Sequence, residues 1–222
     1  MDFGRSFTYV FEDEKWVQKI FIGGLIFLIP IINIAVLGYL IDTVRRAKEG
    51  RVPVLPDWND FFDHFKNGLL LAAGILVYAF IPMLLIVFGV GFSYLKDFFS
   101  RGVQLVQSAT GLATLLVLFA FLYFIALLLI LPAIYLHFAS KQSFGALFEL
   151  GSIFNLIRAD KSNYVLCLIN ILIAGFVSAI VTNIPFIGWI LSVFAGFYAN
   201  LVVAGAIAQY WLIVEGINVL EN

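Results

Sequence analysis

SNYVLCLINILIAGFVSAIVTNIPFIGWILSVFAGFYANLVVAGAIAQYWLIV, residues 162–214, runs 53 residues between Lys161 and Glu215 without an Asp, Glu, Lys or Arg. A helix that crosses a bilayer needs about 20 apolar residues at about 1.5 Å each, so this run is long enough for two. Its one turn signal, Asn183-Ile-Pro-Phe-Ile-Gly188, lies near the middle. Proline lacks a backbone donor and disfavours helical geometry in the residue before it. The run therefore reads as two helices, about 163–182 and 186–214, folded back on each other at Pro185 within a membrane.

The rest of the chain agrees. It is 63% hydrophobic and 12% charged, with a mean hydropathy of +1.04, where soluble domains hold about 45–50% apolar and about 25% charged residues. Charge-free stretches at 20–41, 67–95, 102–140 and 162–214 take up 143 of the 222 residues. One soluble core of this size cannot hide so much apolar surface. The net charge of −1 offers no basic face for nucleic acid. The lone cysteine, Cys167, excludes an internal disulfide. A cleaved signal peptide is not expected: the N-terminus carries Glu12, Asp13 and Glu14, and no small-residue cleavage pattern follows the first apolar run.

Six hydrophobic helical pieces are expected. The first run holds Ile29-Pro-Ile-Ile-Asn33, which resembles the turn at Pro185. Two readings compete for 15–48: one span kinked at Pro30, or two short helices, about 15–29 and 33–48, forming a re-entrant hairpin. Loop charges help decide, because Lys and Arg collect on the cytoplasmic side. A single span divides the 13 basic residues 5 against 8, whereas a hairpin leaves only Lys96 and Arg101 outside, 2 against 11. The hairpin fits better, with both termini cytoplasmic. Spans at about 67–94 and 111–138 follow, joined by a short outer segment from Lys96 to Thr110.

Two further pieces read as interfacial, at about 57–66 and 143–158. In Asp57-Trp-Asn-Asp-Phe-Phe-Asp-His-Phe-Lys66, Trp58, Phe61, Phe62 and Phe65 repeat at helical spacing, with Asp57, Asp60, Asp63 and His64 on the other side. Such opposed faces suit a helix lying in the headgroup plane or capping a bundle. Each half of the chain also carries a Pro-marked turn, a weak sign of an internal repeat.

Phe7-Thr-Tyr-Val-Phe-Glu-Asp-Glu-Lys-Trp16, Ile22-Gly-Gly-Leu-Ile-Phe-Leu-Ile-Pro30, Leu37-Gly-Tyr39 and Leu55-Pro-Asp-Trp58 together resemble the prokaryotic membrane family catalogued as domain of unknown function 4013. The resemblance covers nearly the whole chain, and its N-terminal block is the specific part. It implies a polytopic bacterial or archaeal membrane protein and carries no activity with it.

Asp57, Asp60 and His64 stand at i, i+3 and i+7 and form the one candidate metal set. The oxygen ligands suit a hard divalent cation, while the histidine suits zinc or iron. The plainer reading is a solvated face opposite the aromatic stripe, so no metal is expected. No span contains paired acids, His-x-x-x-His or Gly-x-Ser-x-Gly, and Ser178 and Ser192 have no neighbouring base in sequence. No catalytic residue and no cofactor is expected. Asp42 has Arg45 and Arg46 at i+3 and i+4 to neutralise it. Carriers commonly bury a charge near the bilayer midplane; here the intramembrane polar groups read as neutral, among them Asn33, Asn170, Asn183 and Asn200.

Small and polar residues recur every four positions in the final hairpin. Asn170, Ala174, Ser178 and Thr182 lead in, and Gly188, Ser192, Gly196 and Asn200 lead out. Small residues let membrane helices approach closely, and Asn or Ser can bond across a seam. A turn centred on Pro185 pairs Thr182 with Gly188, Ser178 with Ser192, Ala174 with Gly196 and Asn170 with Asn200.

The expectation is an all-α polytopic bundle forming a single domain over 1–222 in a prokaryotic cell membrane. Its partners are membrane lipids and either a second copy or another membrane protein. Two function classes stand: a non-enzymatic membrane module that assembles with itself or a partner, and a carrier or channel for a small or lipid-like solute. A water-accessible cavity lined by Asn33, Asn170 or Asn200 favours the second; a solid Gly/Ala-packed interior favours the first.

Overall fold

The computed structural model describes residues 1–52, 54–99 and 103–216, with side chains described throughout except at 92–110. Among the described residues the regular structure is all helical. Eight α-helices run in the order α1 (Phe3–Thr8), α2 (Trp16–Leu28), α3 (Ile34–Lys48), α4 (Phe61–Phe99), α5 (Val103–Lys141), α6 (Leu150–Ala159), α7 (Lys161–Thr182) and α8 (Gly188–Val214). Single 3₁₀ turns stand at Tyr9–Glu12, Trp58–Asp60 and Phe144–Phe148. Four helical stretches are long and apolar enough to cross a membrane: Trp58–Gly91, Gly111–Lys141, Lys161–Thr182 and Gly188–Val214.

The limits of segment 57–66 and of the two long spans differ from expectation. The segment 57–66 is not a separate interfacial helix, because its 3₁₀ turn leads straight into α4. The helices expected at 67–94 and 111–138 extend to Phe61–Phe99 and Val103–Lys141. Lys is a good helix former, so α4 continues past Lys66 and Lys96 at the edges of its apolar run. Of the outer segment expected from Lys96 to Thr110, residues 100–102, including Arg101, lie outside the described residues. Segment 143–158 divides into a 3₁₀ turn capped by Ser143 and helix α6. Helix α7 begins where Asp160 accepts the backbone N–H of Asn163 at 3.0 Å.

The chain gathers into two compact units, residues 1–72 with 132–222, and residues 73–131. In the first, α2 and α3 fold back on each other at residues 29–33, and both lie against α8. Gly23 of α2 and Tyr39 of α3 meet the same ring, Phe197. Stretch 15–48 is therefore a hairpin and not one kinked span. Helices α7 and α8 form the second hairpin and share the most extensive helix–helix contact. In both turns the residue after proline is left-handed, Ile31 at φ 72° and Phe186 at φ 67°. A type II turn asks for glycine there, and an L residue costs about 1–2 kcal/mol in that region.

Glycine sets the crossing of α3 with α4. A Cβ on Gly38 would lie 1.7 Å from the His64 carbonyl oxygen, and one on Gly68 2.0 Å from that of Ile34. The two backbones touch, which a larger residue forbids. In the second unit, Gly74, Pro82 and Gly89 of α4 are buried, as are Ala113 and Ala120 of α5. These spacings of seven and eight residues make a near-heptad seam. Its outer positions are large and apolar, Phe80, Met83, Phe88, Phe119 and Phe121 among them.

Candidate functional site: a buried lysine network

Lys19 is the one buried cation of the described residues, and Asp13 the one buried carboxylate. The Lys19 Nζ donates to Asp13 Oδ2 at 2.8 Å and to the Leu55 carbonyl at 2.8 Å, and lies 3.1 Å from Asp57 Oδ1. All three ammonium protons thus find an oxygen, which a buried lysine requires. Helix α2 delivers Lys19 on the same face as Gly23 and Gly24, the helix's other buried residues.

The chain beyond α3 closes over this lysine. Trp58 Nε1 donates to the Lys19 carbonyl at 3.1 Å, and its ring stacks on Tyr39 at 4.2 Å. The Tyr39 hydroxyl donates to the Pro56 carbonyl at 2.9 Å. His64, itself buried, places Nε2 3.0 Å from the Asp57 carbonyl, which fixes that nitrogen as the donor. The Lys19 hydrogen bond holds the Asp57 carboxyl below its ordinary range, against a smaller opposing effect of burial.

Asp13, Tyr39 and residues 55–58 come from separate motif segments, and the fold brings them around one ammonium. A family model described as protein of unknown function, DUF4013, matches residues 22–187. The chain belongs to the DUF4013 family. The chain is also similar to an uncharacterised protein of Methanocaldococcus jannaschii, MJ1189, at 27% identity over 90% of this chain and 76% of that protein. No solved structure matches.

In this DUF4013 chain, the Asp57, Asp60 and His64 side chains are not brought together. Asp57 turns to Lys19, His64 points inward to a backbone carbonyl, and Asp60 is exposed. Among the described residues no three His, Cys, Asp or Glu side chains group as a metal ion needs. Asp42 pairs with Arg46 at 3.2 Å, as the i+4 spacing implies.

The four-residue ladder of the last hairpin is bonded differently from the seam drawn in sequence. Asn200 donates to its own helix at Gly196, Thr182 to Ser178, Asn183 to Ala179 and Ser192 to Trp189. The space over Gly196 is filled by the Phe27 ring of α2, 3.3 Å from where a Cβ would stand. Gly188 does approach Thr182, whose carbonyl lies 2.7 Å from such a Cβ. At the far end Tyr164 meets Tyr210 edge-on at 5.2 Å. Ala174 and Asn170 are buried, and neither amide atom of Asn170 has a hydrogen-bond partner. Pro30 and Pro185 sit at the two hairpin turns.

The lysine network escaped sequence reasoning because Lys19 was counted as a loop charge. The available signal was its position on the Gly23/Gly24 stripe of a short apolar helix. A second cluster was missed for the same reason. Glu149 accepts from Lys141 at 2.5 Å and from His137 at 2.9 Å. Those two hydrogen bonds, Lys141 first, bring its carboxyl down to about 2.

Proposed function

We propose that this DUF4013 protein is a non-enzymatic, multi-pass module of the prokaryotic cell membrane, with both termini cytoplasmic, that assembles with a second copy or another membrane protein. One observation carries the reading: the charge buried among its hairpins is locked by three oxygen partners at 2.8, 2.8 and 3.1 Å. A lysine so held fastens α2 to the connection ahead of α4. Thr182, Asn183, Ser192 and Asn200 support the same view, since each bonds to its own helix. Membrane lipids cover the large apolar outer positions, and neither nucleic acid nor a cofactor has a part.

Asn170 favours the second reading, a carrier or channel for a small or lipid-like solute. A buried amide with four unused hydrogen-bonding positions is costly within apolar surroundings. Its relative exposure is 0%, which leaves no room for water beside it in this packing, and on that ground the module reading is preferred. Purification from native membranes in a mild detergent, with mass measurement of the intact particle, tests it. The module reading expects a stoichiometric second copy or partner protein. A lone monomer carrying only bulk lipid contradicts it.

A further inference from the structure

Helix α8 is the ruler of the first unit, with 13 residues on either side of Leu201, about 20 Å each way. Charged chain lies against its midpoint. The Tyr9 hydroxyl donates to the Leu201 carbonyl at 2.7 Å, and the Tyr198 hydroxyl donates to the Phe7 carbonyl at 2.7 Å. The Phe11 ring stacks on Tyr198 at 5.8 Å, and the Trp58 ring lies 6.0 Å from Phe197. Glu12, Glu14, Lys15, Asn59 and Asp60, beside these anchors, are exposed, and the Asp57 side chain is 55% exposed.

On α7 the same level looks different. The Gly188–Thr182 approach and the Tyr164–Tyr210 contact, at the two ends of the hairpin, place the middle of α7 level with the middle of α8. There Leu172 is 71% and Phe176 68% exposed, and no charged residue lies between Lys161 and Glu215. One level of the bundle thus shows lipid-like surface on α7, and carboxylates and a lysine on the N-terminal side. A charge facing lipid tails at the bilayer centre is costly, which argues against lipid covering the second surface.

We propose that water enters the first unit along the face formed by the Tyr9–Glu12 turn, residues 13–15 and residues 57–60, and reaches the level of the α8 midpoint. Buried Asp13 and Lys19 are the floor of this recess, and their ion pair seals it from the apolar hairpin tips. The recess shortens the apolar path through the first unit to about half of α8. The inference rests on the reading that α7 and α8 lie in a membrane.

Cysteine labelling tests it on the full chain in leaky membranes, in a Cys167→Ala background, with a permanently charged methanethiosulfonate. Glu14→Cys and Asn59→Cys probe the recess, Leu172→Cys and Phe176→Cys probe α7, and Arg51→Cys is the exposed reference. The recess predicts rates at Glu14→Cys and Asn59→Cys within about tenfold of the reference, and at least about 100-fold slower rates on α7. Recess cysteines as slow as Leu172→Cys overturn the proposal while leaving the membrane reading intact. Fast reaction at all four positions overturns the membrane reading of α7, and the recess with it.

Discussion

Asn170 tests how the interior tolerates an unpaired polar group. Both its amide atoms are buried and without a hydrogen bond, so a leucine of similar volume removes a desolvation cost and breaks no bond. Asn170→Leu is expected to leave stability unchanged or raise it by about 1–3 kcal/mol, read from the melting temperature of the purified protein. A clear loss would mean that Asn170 has a partner outside the first unit's packing. Lys19 is the opposite case. Lys19→Met leaves Asp13 charged and buried with no counter-ion, which is expected to cost about 3–5 kcal/mol in the same measurement. Neither behaviour was legible in the sequence. Asn170 was readable as a buried polar group, but the absence of a hydrogen-bond partner depends on long-range packing. Lys19 looked like one more basic residue at a loop edge.

At the scale of elements, the α3–α4 crossing is the tightest approach. Gly38→Ala puts a methyl group into the His64 carbonyl, where backbone and not a flexible side chain must yield. The expected loss is about 1–3 kcal/mol or more, measured by thermal unfolding in detergent. Gly68→Ala should behave alike, while Gly111→Ala, whose added Cβ meets nothing within 4 Å, should not. The connection from α5 to α6 carries a pH dependence of known sign. The folded Glu149 carboxyl sits near 2 against an ordinary 4.5, so its contribution is complete above 4.5 and fades as pH falls toward 2. Between pH 5 and pH 3 the wild type should therefore lose more thermal stability than Glu149→Gln, and equal losses would count against this cluster. Asp57 acts in the same direction through Lys19. The hairpins themselves were legible at Pro30 and Pro185, where the loop charges and the length of the run called for a turn, whereas Pro82 and Pro132 lie inside continuous helices. The ends of α4 were not, since that helix does not stop at the charges that bound its apolar run.

For the whole molecule, the motif segments that resemble DUF4013 are far apart in sequence and close in space. Asp13, Tyr39, Leu55, Pro56 and Trp58 all contribute to the enclosure of Lys19. That convergence requires α2 and α3 to return to the side from which they set out, and Lys48 confirms the register by pairing with Glu215 at 2.8 Å beside the end of α8. Class and the six apolar helices were open to reading from composition and periodicity, whereas the enclosure rests on long-range pairing that no local pattern encodes. The most direct measurement is the sidedness of Lys15→Cys and Arg51→Cys, each in a Cys167→Ala background in sealed vesicles of known orientation, toward a membrane-impermeant thiol reagent. The re-entrant hairpin predicts that both react from the same face. Reaction from opposite faces would make 15–48 a single crossing and would contradict the account.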